Sequence, residues 1–349
     1  MKILIVLYQK GDYDVGGLVR FLIKIFSDDY YKKLLLDEFN LKVLTSHDIE
    51  KNFNKNDEEF IEILNTTDDF TNSVVFGIHP YGLSMVYKLN KKSRINKNIK
   101  SVTWLNDPHC LSYSIKDRVE IVQRYKEKYT PPFLWNIDYL ISPSPVYFSN
   151  LKITDYSEKI VDIFYFLNPR NFDEIRSISY KERMNKVILS GSIGQGYTSR
   201  IQFNNLRENS KDFKKLIYKL DHPGYKDNTH MTDMNYYKKL CEYKAAFVGH
   251  YDFPINFLLA KHIEVLMCGC LAFFEPNDLL ESQLGLKEFI HYIPCFKDGV
   301  MISDPQFYTN WIESEEGEEV AKRGQDYIME NFGDKQINNL FSFFKKIGV

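Results

Sequence analysis

The chain lacks an excess of charge of either sign. Its 45 lysines and arginines are balanced by 47 aspartates and glutamates, for a net charge of −2. No global positive field exists to draw a polyanionic backbone, so nucleic acid is not expected as a partner. Cysteine is scarce and odd in number: Cys110, Cys241, Cys268, Cys270 and Cys295 are scattered through apolar contexts, which argues for reduced core thiols and against a disulfide framework. The Cys268-Gly269-Cys270 pair has no second ligand pair at zinc-finger spacing, so it reads as buried small apolar groups, and no metal site is expected. The N-terminal apolar run, Ile3 to Leu7, is too short for a signal segment and far below a membrane span. It reads as a first strand, and the protein as cytoplasmic without a transmembrane segment. Short-period repeats and low-complexity tracts are missing too; Asn52 to Glu59 is a polar, charged loop.

What is present suffices for two cores. At 349 residues and 44% hydrophobic, the chain exceeds the size at which a single core keeps growing. Strand-like runs at 2–7, 41–44, 73–78, 102–105 and 139–142 alternate with helical patterns in the first half. Val161 to Leu167 then runs into Asn168-Pro169-Arg170-Asn171, a natural boundary. The alternation restarts with strands at 186–190, 216–220, 245–249 and 271–274, and helices at 236–243 and 257–268. A charged helix from Glu313 to Glu330 and an apolar-faced stretch from Ile337 to Phe344 close the chain. Strands separated by helices signify parallel βαβ winding with functional loops at the carboxyl ends of strands. The expectation is an α/β protein of two Rossmann-like, doubly wound domains facing a cleft, residues 1–168 and 169–334, with a C-terminal helix at 335–349.

The most informative stretch runs from Phe257 to Phe274. An apolar helix there carries Lys261 and Glu264 at i and i+3, so the two share a face, and breaks at Gly269 directly before a buried strand. Two readings stand: a mutual salt bridge, or Glu264 accepting from ribose hydroxyls while Lys261 neutralises an adjacent diphosphate. Lys261-x-x-Glu264, followed by Cys268-Gly269 and a strand, resembles the C-terminal signature of GT-B glycosyltransferases of the group 1 type. Tyr236 to Tyr243 is similar to the Tyr-rich helix that precedes this signature, and Gly324 to Phe332 to the tail helix of the domain. The resemblance implies a GT-B fold whose terminal helix packs back toward the N-terminal domain, and a donor ribose on Glu264. One residue departs from the pattern. Many relatives carry a second glutamate eight positions earlier, where Asn256 stands here; a carboxamide can hydrogen-bond donor-sugar hydroxyls but supplies no charge.

Further residues gather around this signature. The loop after the strand at 186–190, Gly191-Ser192-Ile193-Gly194-Gln195-Gly196, lets backbone N–H groups approach an anion. Its continuation Tyr197-Thr198-Ser199-Arg200 looks like the Tyr-x-x-Arg of relatives, which makes Arg200 a diphosphate or ring contact; a solvated arginine at a helix start is the other reading. His222-Pro223-Gly224-Tyr225 stands where such folds receive the nucleobase, although His-Pro-Gly is also plain turn chemistry. In the first half, Asp107 and His109 end a strand two residues apart and can orient or deprotonate an acceptor hydroxyl, with His79 and Tyr81 a parallel case one strand over. Gly16-Gly17 sits where relatives place a glycine pair near the donor diphosphate.

These expectations converge on a cytoplasmic glycosyltransferase that moves a sugar from a nucleotide-sugar, UDP- or GDP-linked, to a hydroxyl of a glycan or other acceptor. No permanently bound cofactor is expected. Arg200, Lys261 and backbone N–H groups would stabilise the leaving diphosphate. By the resemblance the reaction is retaining and uses basic residues in place of a metal. A nucleotide-sugar epimerase or hydrolase of the same architecture, and a catalytically silent nucleotide-binding scaffold, are the alternatives. Lys91, Lys92, Arg94, Lys97 and Lys100 form a basic set that could hold a membrane surface weakly.

Overall fold

The first unit grows from short, almost uninterrupted apolar runs, the pattern of parallel strands covered on both faces. A computed structural model describes residues 2–7, 40–45, 73–78, 100–104, 138–143, 160–163, 175, 178–194, 196–220, 234–252 and 256–347. The chain divides into two compact units, residues 1–164 with 337–349, and residues 165–336.

In the first unit, β1 (Lys2–Leu7), β2 (Asn40–Thr45), β3 (Ser73–Ile78), β4 (Lys100–Trp104), β5 (Tyr139–Ser142) and β6 (Ile160–Asp162) form one six-stranded sheet in the order β2-β1-β3-β4-β5-β6. Every pairing is parallel. Val102 and Ile141 are fully buried within it. The strand-like run from Val161 to Leu167 holds β6 only to Asp162; Ile163 is outside the strand, and 164–167 lie outside the described residues.

The second unit holds β7 (Met184–Ser190), α1 (Thr198–Asn209), α2 (Lys211–Leu216), β8 (Ile217–Leu220), α3 (Met234–Cys241), β9 (Tyr243–Val248), α4 (Lys261–Met267), β10 (Leu271–Phe274), α5 (Asp278–Ser282) and β11 (Ile293–Pro294). The hairpin strands β12 (Phe296–Lys297) and β13 (Val300–Met301) follow, then α6 (Pro305–Glu313) and α7 (Glu315–Phe332). Its sheet has five parallel strands ordered β8-β7-β9-β10-β11. The chain therefore leaves β7 toward one side for β8 and returns to the other side for β9, which makes the gap beyond the ends of β7 and β9 the topological switch point. Phe203 on α1 stacks on Phe247 of β9 at 4.2 Å, and Tyr308 of α6 packs edge-on against Phe273 of β10 at 4.9 Å. The last helix, α8 (Asp334–Ile347), buries Ile337, Leu340, Phe341, Phe344 and Ile347 along one stripe. Its residues from Ile337 onward belong to the first unit, where Phe343 meets Tyr139 edge-on at 5.3 Å.

Three expectations are corrected. Tyr243 is not the last residue of a helix; α3 stops at Cys241, and Tyr243 opens β9, stacked on Tyr218 of β8 at 4.8 Å. The helix expected from Phe257 begins only at Lys261, because Phe257 instead bridges to Tyr251 through paired backbone hydrogen bonds of 3.1 and 3.0 Å. The charged helix expected over Glu313 to Glu330 is two helices. Ser314 breaks it, in extended geometry, by accepting from Gly317 N as the N-cap of α7 while Glu315, Glu316 and Glu318 sit in the first turn. Among the described residues, no helix is long and apolar enough to cross a membrane.

Candidate functional site

The loop from Gly191 to Gly196 leaves the end of β7 at the switch point, and its geometry explains its glycines. Gly191 has φ +102 and Gly196 φ +93, both in the left-handed range that side chains disfavour. A Cβ on Gly191 would stand 2.8 Å from Arg200 Nη1 and 2.9 Å from Lys261 Cε. The two cations thus close over a bare stretch of backbone.

Arg200 is the second cation's partner from α1. It is only 2% exposed, which excludes the reading of a solvated helix-start arginine. Its guanidinium carbon lies 4.4 Å from the centre of the Tyr197 ring, and Nη1 donates to Ser192 O at 3.4 Å. Nε and Nη2 are buried without a hydrogen-bond partner among the described residues. Burial pushes the guanidinium pKa down, while the nearby Tyr197, Tyr236 and Glu264 oppose that shift. An arginine so enclosed has two charged donors that no described residue receives, and leaving such donors unpaired is costly.

Lys261, at the start of α4, donates from Nζ to Tyr236 Oη at 2.9 Å and lies 4.5 Å from the centre of that ring. Its Nζ stands 3.8 Å from Glu264 Oε2, so the pair does meet, as an ion pair with side chains 15% and 17% exposed. Burial lowers the ammonium pKa; Glu264 counteracts this and Arg200 adds to it. Tyr236 in turn shares a 2.8 Å hydrogen bond with Ser190 Oγ at the end of β7. Burial, reinforced by Glu264, raises the Tyr236 phenol far above its usual range, so it stays neutral. The chain Ser190, Tyr236, Lys261, Glu264 therefore links the end of β7, α3 and α4.

The carboxyl end of α4 is anchored independently. Arg183 Nη1 donates to Cys268 O and Gly269 O at 2.8 and 3.1 Å, and Gln325 Nε2 to Met267 O at 2.7 Å. Carbonyls that a helix end leaves unpaired are thus satisfied by side chains. Gly269 has φ +67, the left-handed residue that ends such helices. Cys241, Cys268, Cys270 and Cys295 are buried free thiols. Burial raises the Cys268 and Cys270 thiols, Cys270 to about 12, and no group of metal-ligating side chains occurs among the described residues.

Sequence reasoning missed a polar cluster beside this loop. Ser199, Gly249, His250, His262 and Glu275 come together where α1 and α4 meet the ends of β9 and β10. A Cβ on Gly249 would lie 1.9 Å from Ser199 Oγ and 3.5 Å from Glu275 Oε2. His250 Nδ1 stands 3.0 Å from Glu275 Oε2, within ion-pair distance but off a hydrogen-bonding line. His262 Nδ1 is 3.1 Å from the backbone of Leu259, its Nε2 has no partner among the described residues, and burial above all lowers its pKa to about 3. The available signal was position: Gly249-His250 and Glu275 directly follow strands.

Of the expected site residues, the structure brings together Gly191, Ser192, Arg200, Lys261 and Glu264. Asn256 is described and exposed. Gly16, Gly17, Asp107, His109, His222 and Tyr225 lie outside the described residues, as do His79, Tyr81 and the basic set apart from Lys100. So does Asp12-Tyr13-Asp14, a carboxylate pair of the kind that can hold a divalent cation.

No protein-family model matches the chain, and no curated protein matches it by sequence. Solved structures do match across nearly its whole length. HepE from Anabaena, in complex with UDP-glucose, superposes with a TM-score of 0.58 at 10% identity, over 98% of this chain and 100% of that one. A glycosyltransferase from Rickettsia africae gives a TM-score of 0.60 at 13% identity, over 99% and 98%. An alpha-glucosyltransferase in complex with UDP-glucose and DNA containing an abasic site gives 0.60 at 11%, over 99% of each chain. The chain has the fold of GT-B glycosyltransferases.

Proposed function

We propose that the protein is a glycosyltransferase that transfers a hexose from a nucleotide-sugar, UDP-linked in the first instance, to a hydroxyl of a glycan or other acceptor. One observation carries this reading: two enclosed cations, Arg200 and Lys261, converge on the glycine loop at the switch point of a GT-B sheet, and among the described residues Arg200 keeps two charged donors unfilled. A diphosphate is the group that fills them. It offers several anionic oxygens to a guanidinium, an ammonium and the N–H groups of a left-handed loop. UDP or UDP-glucose bound to the fold neighbours favours the uridine nucleotide over GDP.

In this reading the bond between anomeric carbon and diphosphate breaks while Arg200 and Lys261 take up the charge developing on the leaving oxygen. Tyr236 holds Lys261 in place, and Glu264 accepts the ribose hydroxyls with the oxygen not facing Lys261. Backbone N–H groups of Gly191 and Ser192 lie against the phosphates. On sequence grounds we assign the base to His222 and Tyr225, a diphosphate role to Gly16-Gly17, and the acceptor hydroxyl to Asp107 with His109. Retention follows from front-face attack assisted by the leaving phosphate, without a metal. The protein works in the cytoplasm.

A second reading, a nucleotide-binding scaffold without turnover, is favoured by Asn256, which replaces a carboxylate and lies exposed. The test is a thermal-shift panel of UDP, GDP, ADP and dTDP, followed by mass spectrometry of the responding nucleotide-sugar with hydroxyl acceptors and with water alone. UDP should raise the Tm and a glycosylated acceptor should form, in EDTA as in its absence. Free sugar or an epimer without acceptor product points to a hydrolase or epimerase, and binding without any turnover to the scaffold. No response to any nucleotide far above a typical Kd refutes the donor site.

A further inference from the structure

A second concavity on the donor-binding unit belongs to neither the glycine loop nor the cations. It has a volume of about 510 Å³ and lies between the outer face of α1, the β12–β13 hairpin and the segment leading into α6. Sites for small molecules span this size range. Arg200, Lys261 and Glu264 do not line it.

Its chemistry is unusual for this chain. Lys, Arg, Asp and Glu make up 26% of the sequence, yet no charged side chain among the described residues lines the groove. One wall carries three carboxamides, Gln202, Asn205 and Asn209, spaced i, i+3 and i+7 along α1, so they project from one face of the helix. That face is the outward one, for Phe203 points into the core fully buried while all three carboxamide residues are exposed. Their side chains make no hydrogen bond to the described residues. The facing wall is apolar, with Val300, Met301 and Pro305. The hairpin is built to present it: Asp298 with φ 52 and Gly299 with φ 75 form a two-residue turn of the type favoured between paired strands. Val300, immediately after that turn, is 69% exposed.

We propose that this groove binds a neutral oligosaccharide, as a second saccharide site apart from the reacting centre. Each carboxamide offers two donors and one acceptor oxygen, matching hydroxyl groups that both donate and accept. The strip of Val300, Met301 and Pro305 suits the C–H face of a sugar ring. Among the described lining residues an anionic ligand would find no cation and a cationic one no carboxylate. Held there, a glycan stays at high local concentration around the protein. The inference shares with the proposed function only the premise that the chain handles carbohydrate, and its test needs no turnover.

Saturation-transfer NMR on the full chain, saturated with UDP and mixed in turn with maltohexaose, cellohexaose and chitohexaose, reads the site directly. At least one hexasaccharide should bind, and the pair Asn205→Leu with Asn209→Leu should weaken it roughly tenfold or more. Val300→Asp, on an exposed turn, should do the same, and the thermal shift with UDP should stay unchanged in both variants. Absence of binding by all three sugars overturns the proposal, as does binding that survives both groove variants or is abolished by Arg200→Gln instead. A chain that ignores every nucleotide yet binds a hexasaccharide through the groove residues upholds this inference and refutes the donor site.

Discussion

Acid sensitivity of the second unit should carry a separable contribution from His262, beside that of His291, whose pKa burial also lowers. His262 is 1% exposed, its Nε2 has no partner among the described residues, its ring meets Phe274 edge-on at 5.0 Å, and burial lowers its pKa to about 3 from 6.5. Because the folded-state value lies below the unfolded one, the unfolded chain takes up the proton first. The stability is therefore intact above pH 6.5 and is lost as the pH falls toward 3. At about 1.4 kcal/mol per unit, moving from pH 7 to pH 5 removes about 2 kcal/mol, and the whole shift amounts to about 5 kcal/mol. His262→Asn removes the titration while keeping a polar group near Leu259. Urea midpoints, followed by Trp311 fluorescence in a chain with Trp104→Phe and Trp135→Phe, report on the unit that contains α6. The wild-type protein should lose about 2 kcal/mol more between the two pH values than the variant does, with the fixed cost of the substitution and the titration of all other groups cancelling. An equal loss in both proteins would show that His262 is not held neutral by its surroundings.

Arg200→Gln should weaken UDP binding roughly ten- to a hundredfold, the worth of charge-assisted bonds from its free Nε and Nη2; isothermal titration calorimetry showing an unchanged Kd contradicts the diphosphate assignment. Gly191→Ala should weaken UDP binding as well, because the residue is at φ +102 and its Cβ would crowd Arg200 and Lys261, whereas Gly299→Ala, at φ +75 with nothing within 4 Å, should leave it unaltered. Tyr236→Phe should cost about 1–3 kcal/mol in urea unfolding, since it strips both Ser190 and Lys261 of a buried partner; a change below about 0.5 kcal/mol, within the range of ordinary surface substitutions, counts against the linkage. Glu264→Ala should weaken UDP more than deoxy-UDP lacking the ribose hydroxyls, read by competition.

The sheets were legible because parallel strands are written locally. Ser73–Ile78, Tyr139–Ser142 and Leu271–Phe274 are short apolar runs that the structure reproduces residue for residue. Helix limits were less so, for reasons outside the local pattern. Phe257 to Ala260 is apolar enough for a helix, yet a backbone bridge to Tyr251 claims Phe257. Ser314 interrupts a charged stretch whose helical period continues through it, and only the cap geometry shows the break. At the site, the pairing of Lys261 with Glu264 follows from spacing on one helix. The enclosure of Arg200 does not, since it depends on Tyr197 and on a Gly191 loop whose left-handed turn no spacing reveals. The His250 and Glu275 contact joins the ends of two strands, a proximity that exists only once β9 and β10 are in register.

The allocation of the last helix to the first unit orders events during synthesis. Residues 165–336 form an uninterrupted stretch that can complete its own core as it emerges from the ribosome, whereas the unit begun by β1 lacks Ile337 to Val349 until that stretch has been made. The half that starts first is finished last, and until then the surface that Phe343 will cover at Tyr139 stays open. Removing the final turns of α8 should therefore injure the amino-terminal unit, more than three hundred residues away in sequence at its first strand, and spare the neighbour from which the helix extends.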